Sequence, residues 1–180
     1  MQKPIPPKRS NRPLPKGRLP RPIRQIPSRS SNELNRLRAT EVTSYLHYKQ
    51  HASMAVSLFA PGLKNAFEAH ALLELQHADL LAQRIQQLGG VPIYSPVAIA
   101  AQAASVGVRP EQGPTLREMI IENLMLERQQ VAAYTTLVRE IGERDPTTRR
   151  LLMEILRCKV PAASSRVAML PRRGPDDGAE

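Results

Sequence analysis

Glu74 and His77 stand three residues apart in FEAHALLELQHADLLAQRIQQLGG, residues 67–90. Phe67, Ala71, Glu74, Ala78, Leu81 and Ile85 recur at steps of three or four, which is one face of a helix. Glu74 therefore sits inside an apolar stripe, and His77 follows one turn along the same face. A buried carboxylate needs a cation, a proton or a metal, because leaving it uncompensated is costly. Glu-x-x-His on an inward face is half of the pattern by which helix bundles hold two metal ions. His70 precedes Glu74 by four and faces the same way. It is either a further ligand or a donor that orients one, against the plainer role of a core histidine.

The elements that must position this pair follow from the remaining stripes. A first helix is expected from about residue 31 to 57, with Ser30 and Glu33 as a capping box. Leu34, Leu37, Glu41, Tyr45 and Tyr48 form its apolar line, and Glu41 is the acid set into it. His47 and His51 fall off that line and are expected at a surface or an interface. Pro61-Gly62 turns the chain into the Glu74 helix, which Gly89, Gly90 and Pro92 end. Leu72, Leu73, Leu75 and Leu80 lie outside its main stripe, and a helix apolar on two sides suits burial against a partner subunit.

Residues 91–114 carry four prolines and two glycines and read as a long connection. At about 3.3 Å per residue it can span a helix of about 40 Å. A third helix starts at Thr115, capped with Glu118, and sets Glu127 into the stripe Leu116, Ile120, Val131, Tyr134, Val138 and Ile141. Asp145 and Pro146 open a fourth helix carrying Leu151, Leu152, Ile155 and Leu156. Pro161 is expected to stop it after about 15 residues. The chain thus divides into an arm (1–29), a bundle (30–160) and a C-terminal tail (161–180).

The 180 residues suffice for one aliphatic core, since aromatics are 3%. Cys158 is the one cysteine, so no internal disulfide forms and a reducing, cytoplasmic setting is expected. No apolar run reaches membrane-spanning length, and no secretory leader is expected. The net charge is +10, unevenly spread. Lys3, Lys8, Arg9, Arg12, Lys16, Arg18, Arg21, Arg24 and Arg29 fall in the first thirty residues, with eight prolines and no acid. Removing these nine from the 26 basic groups leaves 17 against 16 acids. The basic character belongs to a proline-rich arm expected to be disordered, either a solvated leader or a contact with DNA or another polyanion.

Three inward acids on three helices carry a resemblance. Through NRLRATEVTSYLHYKQHA, LELQHADLLAQRIQQLGGVP, LREMIIENLMLERQQVAAY and DPTTRRLLMEILR, the chain resembles bacterioferritin and its ferritin-like relatives over residues 32–159. The resemblance implies an all-α four-helix bundle with a long crossover between its second and third helices. It implies iron as the metal, one or two ions held by Glu41, Glu74, His77 and Glu127, with Fe(II) oxidation by O2 as the ferroxidase-type activity and a homo-oligomer as the assembly. The fourth-helix Glu-x-x-His of that family falls on Lys159 and Ala162, so the diiron centre is expected to be impaired. Lys159 is either an ammonium that neutralises the three acids in place of a metal or a helix-end lysine directed to water. The haem-bearing methionine position falls on Leu75, so haem is not implied. Two further roles stay open: a metal-poor scaffold binding DNA through its arm, as in the DNA-protecting Dps group, and a structural subunit that co-assembles with an intact ferritin.

Overall fold

The structure, a computed structural model, describes residues 28–57, 60–104 and 115–169. These form α1 (Ser28–Ser57), α2 (Pro61–Gln87), α3 (Pro96–Ala104), α4 (Leu116–Ile141) and α5 (Pro146–Met169), with no strand among the described residues. The architecture is the expected all-α bundle. α1 packs along α2, α4 along α5, α1 also meets α4, and the short α3 lies on α1. None of the described helices is long and apolar enough to cross a membrane.

Several boundaries differ from those expected. α1 begins at Ser28, so Ser30 lies within its first turn and does not cap it, and Glu33 pairs instead with Arg36 at 3.4 Å. Residues 28 and 29 therefore belong to a helix and not to the arm, whose residues 1–27 lie outside the described ones. Pro61 occupies the first turn of α2, where its missing N–H costs nothing. The connection after α2 contains α3, which the count of prolines concealed: Pro96 opens that helix and does not prevent it. α5 has 24 residues and continues past Pro161 to Met169, so the fourth helix is not short and residues 161–169 are not a tail. A proline in a helix removes one hydrogen bond and clashes one turn back, which kinks a helix as readily as it ends one.

Two apolar clusters build the core. Leu34, Leu37, Leu81, Ile85, Tyr134, Leu152 and Ile155 form part of one. Tyr48, Ala52, Phe67, Ala71, Met119 and Ile120 form part of the other. Each buried Leu or Ile contributes about 1.5–3 kcal/mol relative to exposure. On α1, α2 and α4 the buried acid falls between the clusters: Glu41 between Leu37 and Tyr48, Glu74 between Ala71 and Leu81, Glu127 between Ile120 and Tyr134. A polar layer is thus held between two dry ones.

Tight local contacts fix the helix ends. Gly89 has φ 77, a left-handed value that suits glycine after a helix. At Gly90 a Cβ would lie 2.7 Å from Ser31 Oγ, so the turn can pass this close to α1 only without a side chain. The Asn35 amide donates to the Val91 carbonyl at 3.1 Å and its oxygen accepts from the Ile93 N–H at 3.0 Å. Arg38 donates to the Ile93 carbonyl and covers the Tyr94 ring at 4.1 Å. Thr115 and Glu118 form the expected capping box of α4. Asp145 accepts from the Thr148 N–H at 3.0 Å at the start of α5 and takes both oxygens to Arg84 Nη2, at 2.9 and 3.1 Å. Burial would raise the Asp145 carboxyl, but the Thr148 and Arg84 bonds hold it below its ordinary value.

Arg84 and Asp145 join the end of the α1–α2 hairpin to the α4–α5 hairpin. Asp145→Ala removes a cap and a largely buried charged hydrogen bond together, and an expected loss of about 2–3 kcal/mol follows. Because the folded pKa is depressed, this stability is present above about pH 4 and disappears as pH falls further. Urea melts of wild type and variant at pH 7 and pH 3 check both statements.

Candidate metal centre

Glu41 of α1 and Glu74 and His77 of α2 bring ligand atoms within 4.8 Å of one another, and all three side chains are buried. His77 Nδ1 is 3.3 Å from Glu41 Oε2. Glu127 of α4 is equally buried but outside that close group, and its Oε1 accepts from the Tyr48 hydroxyl at 3.2 Å. His70 is half-buried and stacks on the Tyr48 ring, with centroids 5.6 Å apart, so it touches the ring that donates to Glu127. Leu75 is partly exposed, away from the cluster.

Lys159 of α5 ends in the middle of this group. Its side chain is 1% exposed. Nζ lies 3.0 Å from Glu41 Oε2, donates to both Glu74 oxygens at 3.0 Å, and donates to Gln130 Oε1 at 2.9 Å. The reading of Lys159 as a helix-end lysine in water is thereby overturned. α5 runs on as a helix beyond it, so the lysine sits inside a helix with its stem lying against the bundle. Ala162 falls within α5, and its side chain lies outside the described residues.

Three further residues, Gln130, Ser44 and Tyr134, complete the cluster, and none was singled out by the sequence as part of it. The Gln130 amide donates to Ser44 Oγ at 2.8 Å and to Glu74 Oε2 at 3.2 Å while its oxygen receives Lys159. Tyr134 donates its hydroxyl to Glu41 Oε1 at 2.7 Å. The available signal was spacing: Ser44 is three after Glu41, Gln130 three after Glu127, and Tyr134 one further turn on, all on inward faces.

The charges explain one another. Burial alone would raise the Glu41 carboxyl; the Lys159 ammonium, with hydrogen bonds involving His77 and Glu74, holds it down at about 2. Burial and the Glu41 charge push Glu74 well above its ordinary value, against the pull of Lys159. Burial would strip the proton from Lys159, but Glu41 and Glu74 outweigh it and keep the ammonium charged beyond the usual lysine range. Burial and the Glu41 charge likewise raise Tyr134, so it remains a phenol donor.

A family model of the Ferritin-like domain matches residues 31–163. The chain belongs to the ferritin-like family. That family is of the iron-binding and iron-storage type and generally forms oligomers. No curated protein matches the chain. For a ferritin-like bundle the implied metal is iron, and the residues present can be tested against it. Glu41, Glu74 and His77 have the right donor types, but the ammonium approaches the same carboxylate oxygens that an iron ion would use. An iron ion on those oxygens would stand within a few ångströms of the ammonium, and two like charges that close in a buried pocket repel strongly. Among the described residues, the oxygens that an iron ion would use thus already hold the Lys159 ammonium.

His47 and His51 are also corrected. They were expected at a surface or interface, yet they are 4% and 0% exposed. α1 is covered by α2 on one side and α4 on another, so a second sector of the helix is buried. Burial lowers His47, and burial with the adjacent His47 lowers His51 to about 4, so both are neutral imidazoles at pH 7.

Lys159→Met leaves carboxylates buried without their cation, and a loss of about 3–5 kcal/mol at pH 7 is expected. Without the ammonium, burial raises the folded pKa of Glu41 above its unfolded value. The deficit should therefore shrink as pH falls towards the carboxylate range and the acids take up protons. Denaturant titrations from pH 4.5 to 8 check this, and Glu41→Gln added to Lys159→Met should recover part of the loss.

Proposed function

We propose that this chain is a ferritin-like subunit whose in-bundle centre is closed by an internal ammonium, and that it serves an iron-storage-type assembly as scaffold and not as its Fe(II)-oxidising member. The observation that carries the reading is Lys159 Nζ, held at 2.9–3.0 Å by Glu41, Glu74 and Gln130. An Fe(II)-oxidising diiron centre needs several carboxylate and imidazole ligands around each ion. Here one strand of that ligand set is a lysine, and the acids that remain are already neutralised.

The assembly part of the reading rests on exposed apolar groups. Leu46 of α1 is 59% exposed and Leu72 of α2 is 60% exposed, and Leu73, Leu75 and Leu80 are also open to solvent. Such a face on the α1–α2 hairpin suits burial against another ferritin-like subunit, of its own kind or with an intact centre.

Fe(II) titration of the purified protein in air tests the reading. Wild type should oxidise Fe(II) no faster than buffer and should show no saturation at two irons per chain. Lys159→Glu with Ala162→His restores the ligand types of the fourth helix and should gain iron binding and O2 consumption. Saturable, rapid oxidation by wild type at two irons per chain would overturn the proposal.

The charge distribution favours a second role for the same subunit. Nine basic groups without an acid precede a body that is close to neutral, which suits binding of DNA or another polyanion. If about five of them meet phosphates, log K should fall against log salt with a slope of about −4 to −5. Removal of residues 1–27, which takes eight of these nine groups and leaves Arg29 in α1, should abolish retardation of DNA with little change in melting temperature; equal affinity without them excludes this role.

A further inference from the structure

One cluster of ligand-type side chains takes no part in the Lys159 network. His47 and His51 stand one turn apart on α1, and Glu122 of α4 faces both. Glu122 Oε2 is 3.2 Å from His51 Nε2 and 3.5 Å from His47 Nε2. The two imidazole rings are tilted by 58° with centroids 4.2 Å apart. Both histidines thus turn the same nitrogen towards one carboxylate oxygen, and neither Nε2 is in hydrogen-bond alignment with it. We propose that His47, His51 and Glu122 form a three-ligand site for a borderline divalent transition-metal ion of the Zn2+ class.

The geometry supports this class of ligand. Around a tetrahedral ion with bonds of about 2.0–2.1 Å, neighbouring ligand atoms lie about 3.3 Å apart. The two nitrogen–oxygen separations, 3.2 and 3.5 Å, bracket that edge. Two imidazoles and one carboxylate suit Zn2+, Co2+ or Fe2+ better than the hard, oxygen-seeking Mg2+ or Ca2+. Histidines four apart on a helix place both nitrogens on one side, and the third ligand arrives from a different helix, so the ion would tie α1 to α4. The Phe67 ring stands 5.7 Å from His51 and closes one side with apolar surface. Glu122 is a quarter exposed, which gives a cation a route from solvent. Three protein ligands leave a fourth position for water.

This place is separate from the lysine-filled centre. On α1 the histidines follow Glu41 by six and ten residues, and on α4 Glu122 precedes Glu127 by five, a displacement of about 8–15 Å along the helices at 1.5 Å per residue. A metal bound here leaves Lys159 and its acids as they are.

The test is a Co2+ titration of the full chain after chelator treatment, read by visible absorption and by metal content, followed by displacement with Zn2+. Wild type should take up about one Co2+ per chain with an imidazole–carboxylate spectrum that Zn2+ abolishes. Loss of outer partners already costs about 10–100-fold in metal affinity, so His47→Gln, His51→Gln and Glu122→Gln, each a direct ligand here, should each weaken binding at least about 100-fold. Circular dichroism confirms that these variants stay helical, and the wild-type titration stands whether or not they do. Glu74→Gln should leave the stoichiometry at one. A wild type that binds no Co2+ at micromolar concentration overturns the inference, and so does binding that survives loss of both histidines. Binding abolished by Glu74→Gln alone would place the ion at the Lys159 cluster, against this site and against the closed centre together.

Discussion

The ammonium of Lys159 among buried carboxylates is the interaction on which the bundle's interior turns. Glu41 and Glu74 come from the α1–α2 hairpin, Gln130 from α4 and Lys159 from α5. Four helices therefore meet at one nitrogen. Ionised acids cannot sit between two apolar layers unless something balances them, since desolvation alone would raise their pKa values and drive proton uptake. The lysine supplies that balance from within the chain. A metal ion does the same work from outside and leaves when chelated or diluted; a covalently attached cation does not.

The rest of the polar layer follows from this arrangement. Each Glu41 oxygen has a partner: Oε1 receives Tyr134, and Oε2 faces both His77 and Lys159. Gln130 acts as a relay between Ser44, Glu74 and the ammonium, with its amide donating on one side and its oxygen accepting on the other. Such a network holds the helices in register, because a shift of one turn would separate every pair at once. Above and below it, the apolar clusters contribute most of the burial and keep water away from the charges.

The molecule also distributes its chemistry unevenly. The lysine-filled centre is fully enclosed, whereas the His47–His51–Glu122 group reaches the surface through Glu122. Among the described residues, the most exposed leucines lie on α1 and α2, Leu46 and Leu72 foremost. The interior thus carries its own cation, while an apolar flank is left open.

Much of this could be read from residue order. The stripe Phe67, Ala71, Glu74, Ala78, Leu81 and Ile85 is buried as its spacing requires, because helical periodicity is a local property. The Thr115–Glu118 cap is local too, and it formed as expected. What spacing could not settle was anything that depends on a neighbour. Lys159 had equal claims to water and to the acids until α5 was laid against the bundle, since burial of a long side chain is decided by what covers its helix. His47 and His51 fell off the main stripe of α1, and only the approach of α4 turned that sector inward. Pro161 read as a stop, yet α5 passes through it, since a single proline lowers helical preference without forbidding what tertiary packing favours. Local rules specify which faces are apolar; the crossing of helices decides which charges meet, and in this chain that meeting puts a lysine ammonium among buried acids.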